Sequence, residues 1–184
     1  MIEYRQRLHA FSPEMHYQLH EGQLTVNSAK GNTRLYSLKN VQSVHLRYAP
    51  TRVQRQRYLA TIRLKNSRSL SLSNEHYRGV YDFEDRSADY RAFVQSLCRE
   101  LAQQPNCGFH GGNSPGTNLA IWLSYFAVMG LLLLVMLFLA ATFPLLIILQ
   151  IAIMLFYTPA LIRYARRNKS QTFDPQQIHD NLLP

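Results

Sequence analysis

The sequence predicts an α+β protein in two parts: an antiparallel β-meander or barrel capped by a C-terminal helix, then a two-helix transmembrane hairpin. Three observations carry this. Apolar residues alternate with polar ones between positions 15 and 74. The apolar period lengthens to that of a helix between 85 and 104. The 44 residues from 119 to 162 contain no Asp, Glu, Lys, Arg or His.

Residues 1–13 form an N-terminal segment with Arg5, Arg7 and no long apolar run, so no signal peptide is expected there. From Met15 onward the period is two. Tyr17 and Leu19 precede the turn pair Glu21-Gly22, and Leu24 and Val26 follow it. Lys30-Gly31-Asn32 marks a second turn before Leu35 and then Val41, Val44 and Leu46. Tyr58, Ala60, Ile62 and Leu64 alternate most clearly, and Leu70 and Leu72 alternate with serines. Short alternating runs broken by turn residues describe an antiparallel meander with one solvated face. Six strands are legible, and a seventh is expected near 79–83. Asp85, Ser87 and Asp89 then suit the start of a helix. Tyr90, Phe93, Val94, Leu97, Cys98 and Leu101 fall on one helical stripe, and Pro105 closes it.

Residues 105–118 hold four glycines and two prolines and are expected to form a flexible linker between the β-domain (14–104) and the membrane segment (119–164). As one helix, the uncharged run would extend roughly 66 Å, about twice a hydrocarbon core of ~30 Å. Two helices fit, near 119–141 and 145–164, with the breaker in Ala140-Ala141-Thr142-Phe143-Pro144. A tilted or re-entrant second segment is the alternative. Arg163, Arg166, Arg167 and Lys169 crowd the exit of the second span, which places that end in the cytoplasm. Two spans return the N-terminal domain to the same side. Residues 165–184 then form a basic cytoplasmic tail. Cys98 and Cys107 are too few for a disulfide framework and suit a reducing compartment.

The net charge is +9. Residues 1–118 hold 16 Lys and Arg against nine Asp and Glu. Held beside a membrane, such a domain faces anionic headgroups more readily than nucleic acid.

A meander of about seven strands closed by one amphipathic helix resembles the pleckstrin-homology (PH)-like superfold, here over roughly 14–104. With the hairpin and basic tail, the chain resembles a family of bacterial membrane proteins in which a PH-like domain precedes a transmembrane hairpin. The stretches His76-Tyr77-Arg78-Gly79, Phe83-Glu84-Asp85-Arg86-Ser87 and Arg167-Asn168-Lys169 carry the likeness. The resemblance implies a bacterial inner-membrane location, where the basic flank and two spans place both termini in the cytoplasm, and it implies no activity. In lipid-binding PH domains basic residues flank the loop between the first two strands. Here that link is Glu21-Gly22, so the resemblance does not carry phosphoinositide binding to this loop.

Three sets of residues are candidates for function. Arg47, Arg52, Arg55 and Arg57 are read onto one loop, RYAPTRVQRQR, with Tyr48 and Tyr58 at its ends. They would contact anionic headgroups or an acidic partner, at about 1 kcal/mol per basic residue near the surface, or form a solvated hairpin tip. Phe173, Ile178, Leu182 and Leu183 would dock the tail on the β-domain or a partner, or fray. Ser124, Gly130 and Gln150 are the small and polar residues expected at helix–helix contacts.

The acidic segment 76–90 reads as a loop stitched by ion pairs. Cys107 and His110 make only one partial metal pair. No catalytic set, cofactor motif or intramembrane charge is present, so no enzyme, cofactor, metal or nucleic acid is expected. The expected function is a membrane-anchored adaptor that binds lipid headgroups or a membrane or cytoplasmic protein. The alternative is a small accessory subunit of a transporter or envelope complex.

Overall fold

In a computed structural model, which describes residues 1–66, 68–139 and 145–184, the chain is α+β. It divides into two compact units: Met1–Gly112 together with Gln171–Pro184, and Asn113–Ser170. The predicted breaker at 140–144 lies outside the described residues.

The first unit opens on a four-stranded antiparallel sheet in the order β1 (Ile2–Gln6), β2 (Met15–His20), β3 (Gln23–Ser28), β4 (Thr33–Ser37). The N-terminal segment is therefore an edge strand of the domain, with Tyr4 opposite Tyr17. Strands β2 and β3 join through Glu21 and Gly22, at φ 42° and 77°, in the left-handed conformation that a two-residue hairpin of matching twist requires. Leu35 lies on the outer face at 68% exposure, while its neighbour Tyr36 packs against the core.

A second sheet is built from β5 (Val41–Tyr48), β6 (Tyr58–Leu64) and β7 (Ser69–Ser73). The inward row Val44, Leu46, Ala60, Ile62 and Leu72 is wholly buried. No closed barrel forms among the described residues. Instead, side chains of β1 bond to edge strand β7. The Gln6 amide donates to Ser71 O at 2.6 Å and accepts from Ser73 N–H at 2.7 Å, and the Tyr4 hydroxyl donates to Ser73 O. A buried amide such as Gln6, fully covered here, keeps its place because its polar atoms are matched.

The seventh strand expected near 79–83 is replaced by a hairpin, β8 (Glu75–Gly79) and β9 (Asp82–Asp85). Val80 and Tyr81 form its exposed tip, with Tyr81 at φ 61°. Apolar side chains at a turn imitate a strand in sequence. Helix α1 (Ser87–Leu101) follows, and the six residues of its predicted stripe are its buried residues. Asp85 accepts the Ser87 N–H at 3.0 Å at its start. Phe93 meets Tyr4 and Tyr17 at ring distances of 5.9 and 6.3 Å, which fastens the helix to the first sheet.

The expected linker 105–118 is not uniformly irregular. Gly108–Gly111 form β10, which adds parallel to β5, and helix α2 begins at Pro115. The glycines that suggest flexibility allow close packing here: a Cβ on Gly111 would stand 2.7 Å from a Leu182 methyl. The tail then supplies β11 (Gln171–Thr172), antiparallel to β10, so the second sheet runs β11-β10-β5-β6-β7.

The second unit contains α2 (Pro115–Leu139) and α3 (Leu145–Arg167). Both are long and apolar enough to cross a membrane, over Gly116–Phe138 and Ile148–Arg167.

Candidate functional site

The β5–β6 hairpin bears the predicted arginines, and its loop is tied down. Ala49 N–H donates to Arg57 O, and Thr51 N–H donates to Gln54 O, both at 2.9 Å. The buried Asn74 braces it from below: its Oδ1 accepts the Tyr58 N–H at 2.7 Å and its amide donates to Gln56 O at 3.1 Å. The rings of Tyr48 and Tyr58 meet at 5.3 Å across the base. These bonds fix the loop's backbone, from which Arg52 and Arg55 project as exposed side chains.

The four arginines do not form one set. Arg52 and Arg55 are exposed at the tip, and Arg47 is exposed on the outer face of β5. Arg57 is half-buried, with its Nε covered and unpaired among the described residues. Burial pulls the Arg57 guanidinium below its ordinary pKa, and the Glu75 charge works against that shift. Burial in turn raises the Glu75 carboxyl, with Asp85 adding to the rise. Arg57 is thus half-buried within reach of the Glu75 charge, whereas Arg47, Arg52 and Arg55 are exposed.

The strand faces extend this positive surface. Val44 and Leu46 point inward, so His45 and Arg47 point outward. In register, Thr172, His110, His45 and Thr61 stand in one row across β11, β10, β5 and β6. Arg63 on β6, opposite Ser43, is exposed on the same face. The His45 ring bonds the Gly112 carbonyl at 2.5 Å, yet burial dominates and lowers its pKa. The five strands of this sheet carry no Asp or Glu. Indeed residues 22–74 hold ten Lys and Arg and no acidic residue, a signal in the sequence broader than the four arginines read from it.

The remaining candidates fall elsewhere. Phe173, Leu182 and Leu183 are buried at 6, 0 and 2% exposure in the core of the first unit, and Ile178 is partly buried against it. In the acidic segment, Glu84 receives both Arg78 and Arg86 at 2.9 Å, and the Arg86 hydrogen bond leads in lowering its pKa.

The helix-contact candidates divide. Gln150 is buried, but Ser124 and Gly130 are exposed, and a Cβ on Gly130 would meet nothing within 4 Å. Buried Met129 sets the inward direction of α2, and one residue further the helix has turned about 100° away. Between α2 and α3 the polar contacts come from other residues. Tyr125 and Thr158 hydroxyls bond at 2.6 Å. Asn113 donates to the Tyr164 hydroxyl and to Asn118, each at 3.2 Å, and Asn118 donates to Asn168 O at 3.2 Å. Asn113 precedes α2 and Asn168 follows α3, with Asn118 and Tyr164 in the adjoining helical turns, so these polar side chains gather at the helix ends, and no helical period in the sequence marks them as a set.

Fold and site together define an α+β protein with an acid-free basic sheet and two helices of membrane-crossing length. No family model matches the chain, and neither a curated protein nor a solved structure matches it.

Proposed function

We propose that this chain is a non-enzymatic, membrane-anchored binding module of PH-like architecture, placed at the cytoplasmic face of a bacterial inner membrane. The PH-like reading is supported by the order of elements: a four-stranded meander, three further antiparallel strands, a short hairpin, then a helix packed on the first sheet. The membrane topology is supported by the pairing of β10 with β11, the strands that flank α2 and α3. Two crossing helices bring their outer flanks to one side, and the basic residues after Ile162 favour the cytoplasm for it.

The observation that carries the function is the stretch from 22 to 74, with ten basic and no acidic residues, which spans strands β3 to β7 of both sheets and includes the braced β5–β6 hairpin. Such a surface attracts anionic headgroups or an acidic partner, with exposed Arg47, Arg52 and Arg55 in the lead. The outward position of Ser124 and Gly130 on α2 favours a second reading, an accessory subunit whose hairpin receives a further helix.

Because Gly111 stands opposite Gln171, a two-residue turn can replace residues 112–170 and leave a soluble domain. Sedimented with vesicles of phosphatidylglycerol and phosphatidylcholine, this variant is expected to bind, and to remain free with phosphatidylcholine alone. Binding indifferent to lipid charge would refute the headgroup reading.

A further inference from the structure

The first sheet has a row in which buried residues give way to a cation. Tyr4, Tyr17, Val26 and Arg34 stand side by side in register across β1 to β4. The first three are 2–3% exposed, and Arg34 is exposed on the same, core-directed face. Beside it opens a cavity of about 230 Å³, walled mainly by Met15, Val26, Tyr36 and Leu70, with Lys30 and Arg34 among its lining and no carboxylate. Strand β4 pairs with β3 on one side and with no strand on the other among the described residues. An unpaired edge is a template for another strand.

We propose that β4 accepts an extended segment of a protein partner as a fifth strand, with acidic residues toward Lys30 and Arg34 and one large apolar side chain in the cavity. This deepens the reading of the chain as a binding module and rests on it. Three considerations select the occupant. The cavity falls below the roughly 300–1,000 Å³ typical of small-molecule sites, so it suits a single anchoring side chain rather than a whole amphiphile. A strand added beside β4 continues the row Tyr4, Tyr17, Val26, Arg34, and its next inward side chain falls over the cavity. A second copy of this chain is opposed by charge, since its own β4 would bring Lys30 and Arg34 against their counterparts with no acidic residue between 22 and 74 to offset them.

The test uses the full chain in phosphatidylcholine nanodiscs and fluorescence anisotropy. The probes are a labelled nonapeptide with threonine at every second position and glutamate and leucine in turn at the positions between, so that acid and leucine share the inward face, and its counterpart with lysine for glutamate. The glutamate peptide is expected to bind at least tenfold more tightly. Arg34→Glu should invert that preference, and Leu35→Pro, which bars strand addition at an edge, should abolish binding. A glutamate peptide N-methylated on its β4-facing amides makes the same point without altering the protein, and should not bind. Equal binding of the two peptides, or undiminished binding of the N-methylated one, would overturn the proposal. So would displacement of the peptide by anionic vesicles, or self-association of the chain that Arg34→Glu abolishes. Arg52→Ser with Arg55→Ser should leave peptide binding intact. A loss there would move the site to the arginine loop, overturning this inference while sparing the proposed function.

Discussion

Phe109 and Phe173 meet edge to face with ring centroids 5.7 Å apart, although both membrane-length helices lie between them in sequence. Phe109 belongs to β10 and Phe173 follows β11, so the contact joins the last strand before the helices to the first residues after them. The hairpin is thus an insertion into the β-domain, and the tail is one of the domain's own parts.

The tail should therefore contribute to folding stability. Leu182 is wholly buried, and its truncation to Ala leaves a cavity expected to cost about 2–5 kcal/mol. Chemical denaturation of the soluble variant with the two-residue turn checks this. A fragment ending at 104 lacks β10 and β11, and one beginning at 14 also lacks β1. Both should be less stable than that variant.

The arginines should separate by role. Replacing exposed Arg52 and Arg55 with Ser should weaken binding to anionic vesicles by up to ~2 kcal/mol, and by less as salt rises. Arg57→Ser should change the denaturation midpoint more than vesicle affinity, because its guanidinium is half-buried near Glu75. Equal effects of all three on binding would contradict the division.

Stability should fall in mild acid. His45 and His76 both have pKa values below the ordinary 6.5, chiefly through burial, with Arg86 adding to the shift at His76. The folded state therefore holds them neutral where the unfolded chain would take up protons. The stability this represents is present above about pH 6.5 and is lost as pH falls through that value toward the folded ones. Glu75, raised by burial, acts in the opposite sense at lower pH. Denaturation midpoints between pH 7.5 and 5.5 should decline, and His45→Gln with His76→Gln should flatten the decline.

Gln150 should be dispensable for the helix pair. It is 3% exposed, with neither amide atom paired among the described residues. An unmatched buried amide stabilises little, so Gln150→Leu should hold or raise the thermal stability of the detergent-solubilised chain. Tyr125→Phe should lower it, by about 0.6 kcal/mol, through loss of the Thr158 bond.

Periodicity made part of this legible. The stripe on α1 and the alternation in β6 are buried as spaced, since one face of each element meets the core. What failed were places where local composition and tertiary role diverge. Gly108–Gly111 read as linker because glycine favours turns, yet pairing with β5 supplies its order. Val80 and Tyr81 read as strand but form a hairpin tip. In the tail, Leu182 and Leu183 stood out as apolar, but their place depends on β10, a strand with no period of its own to read. The acid-free stretch from 22 to 74 needed no structure to find, only a count of charges by segment.

The central claim is that the strands flanking the helical hairpin pair within one domain. His110 of β10 and Thr172 of β11 are direct register partners. Antiparallel partners have Cα atoms about 4.5–5.5 Å apart, within the range a disulfide spans. In a Cys107→Ser background, with Cys98 buried and its thiol pushed up to about 12, His110→Cys and Thr172→Cys are the reactive pair. Mild oxidation of the full-length protein in its membrane should form an intramolecular disulfide, seen as faster migration on non-reducing gels. Free thiols at both positions after oxidation, or cross-links only between chains, would contradict the account.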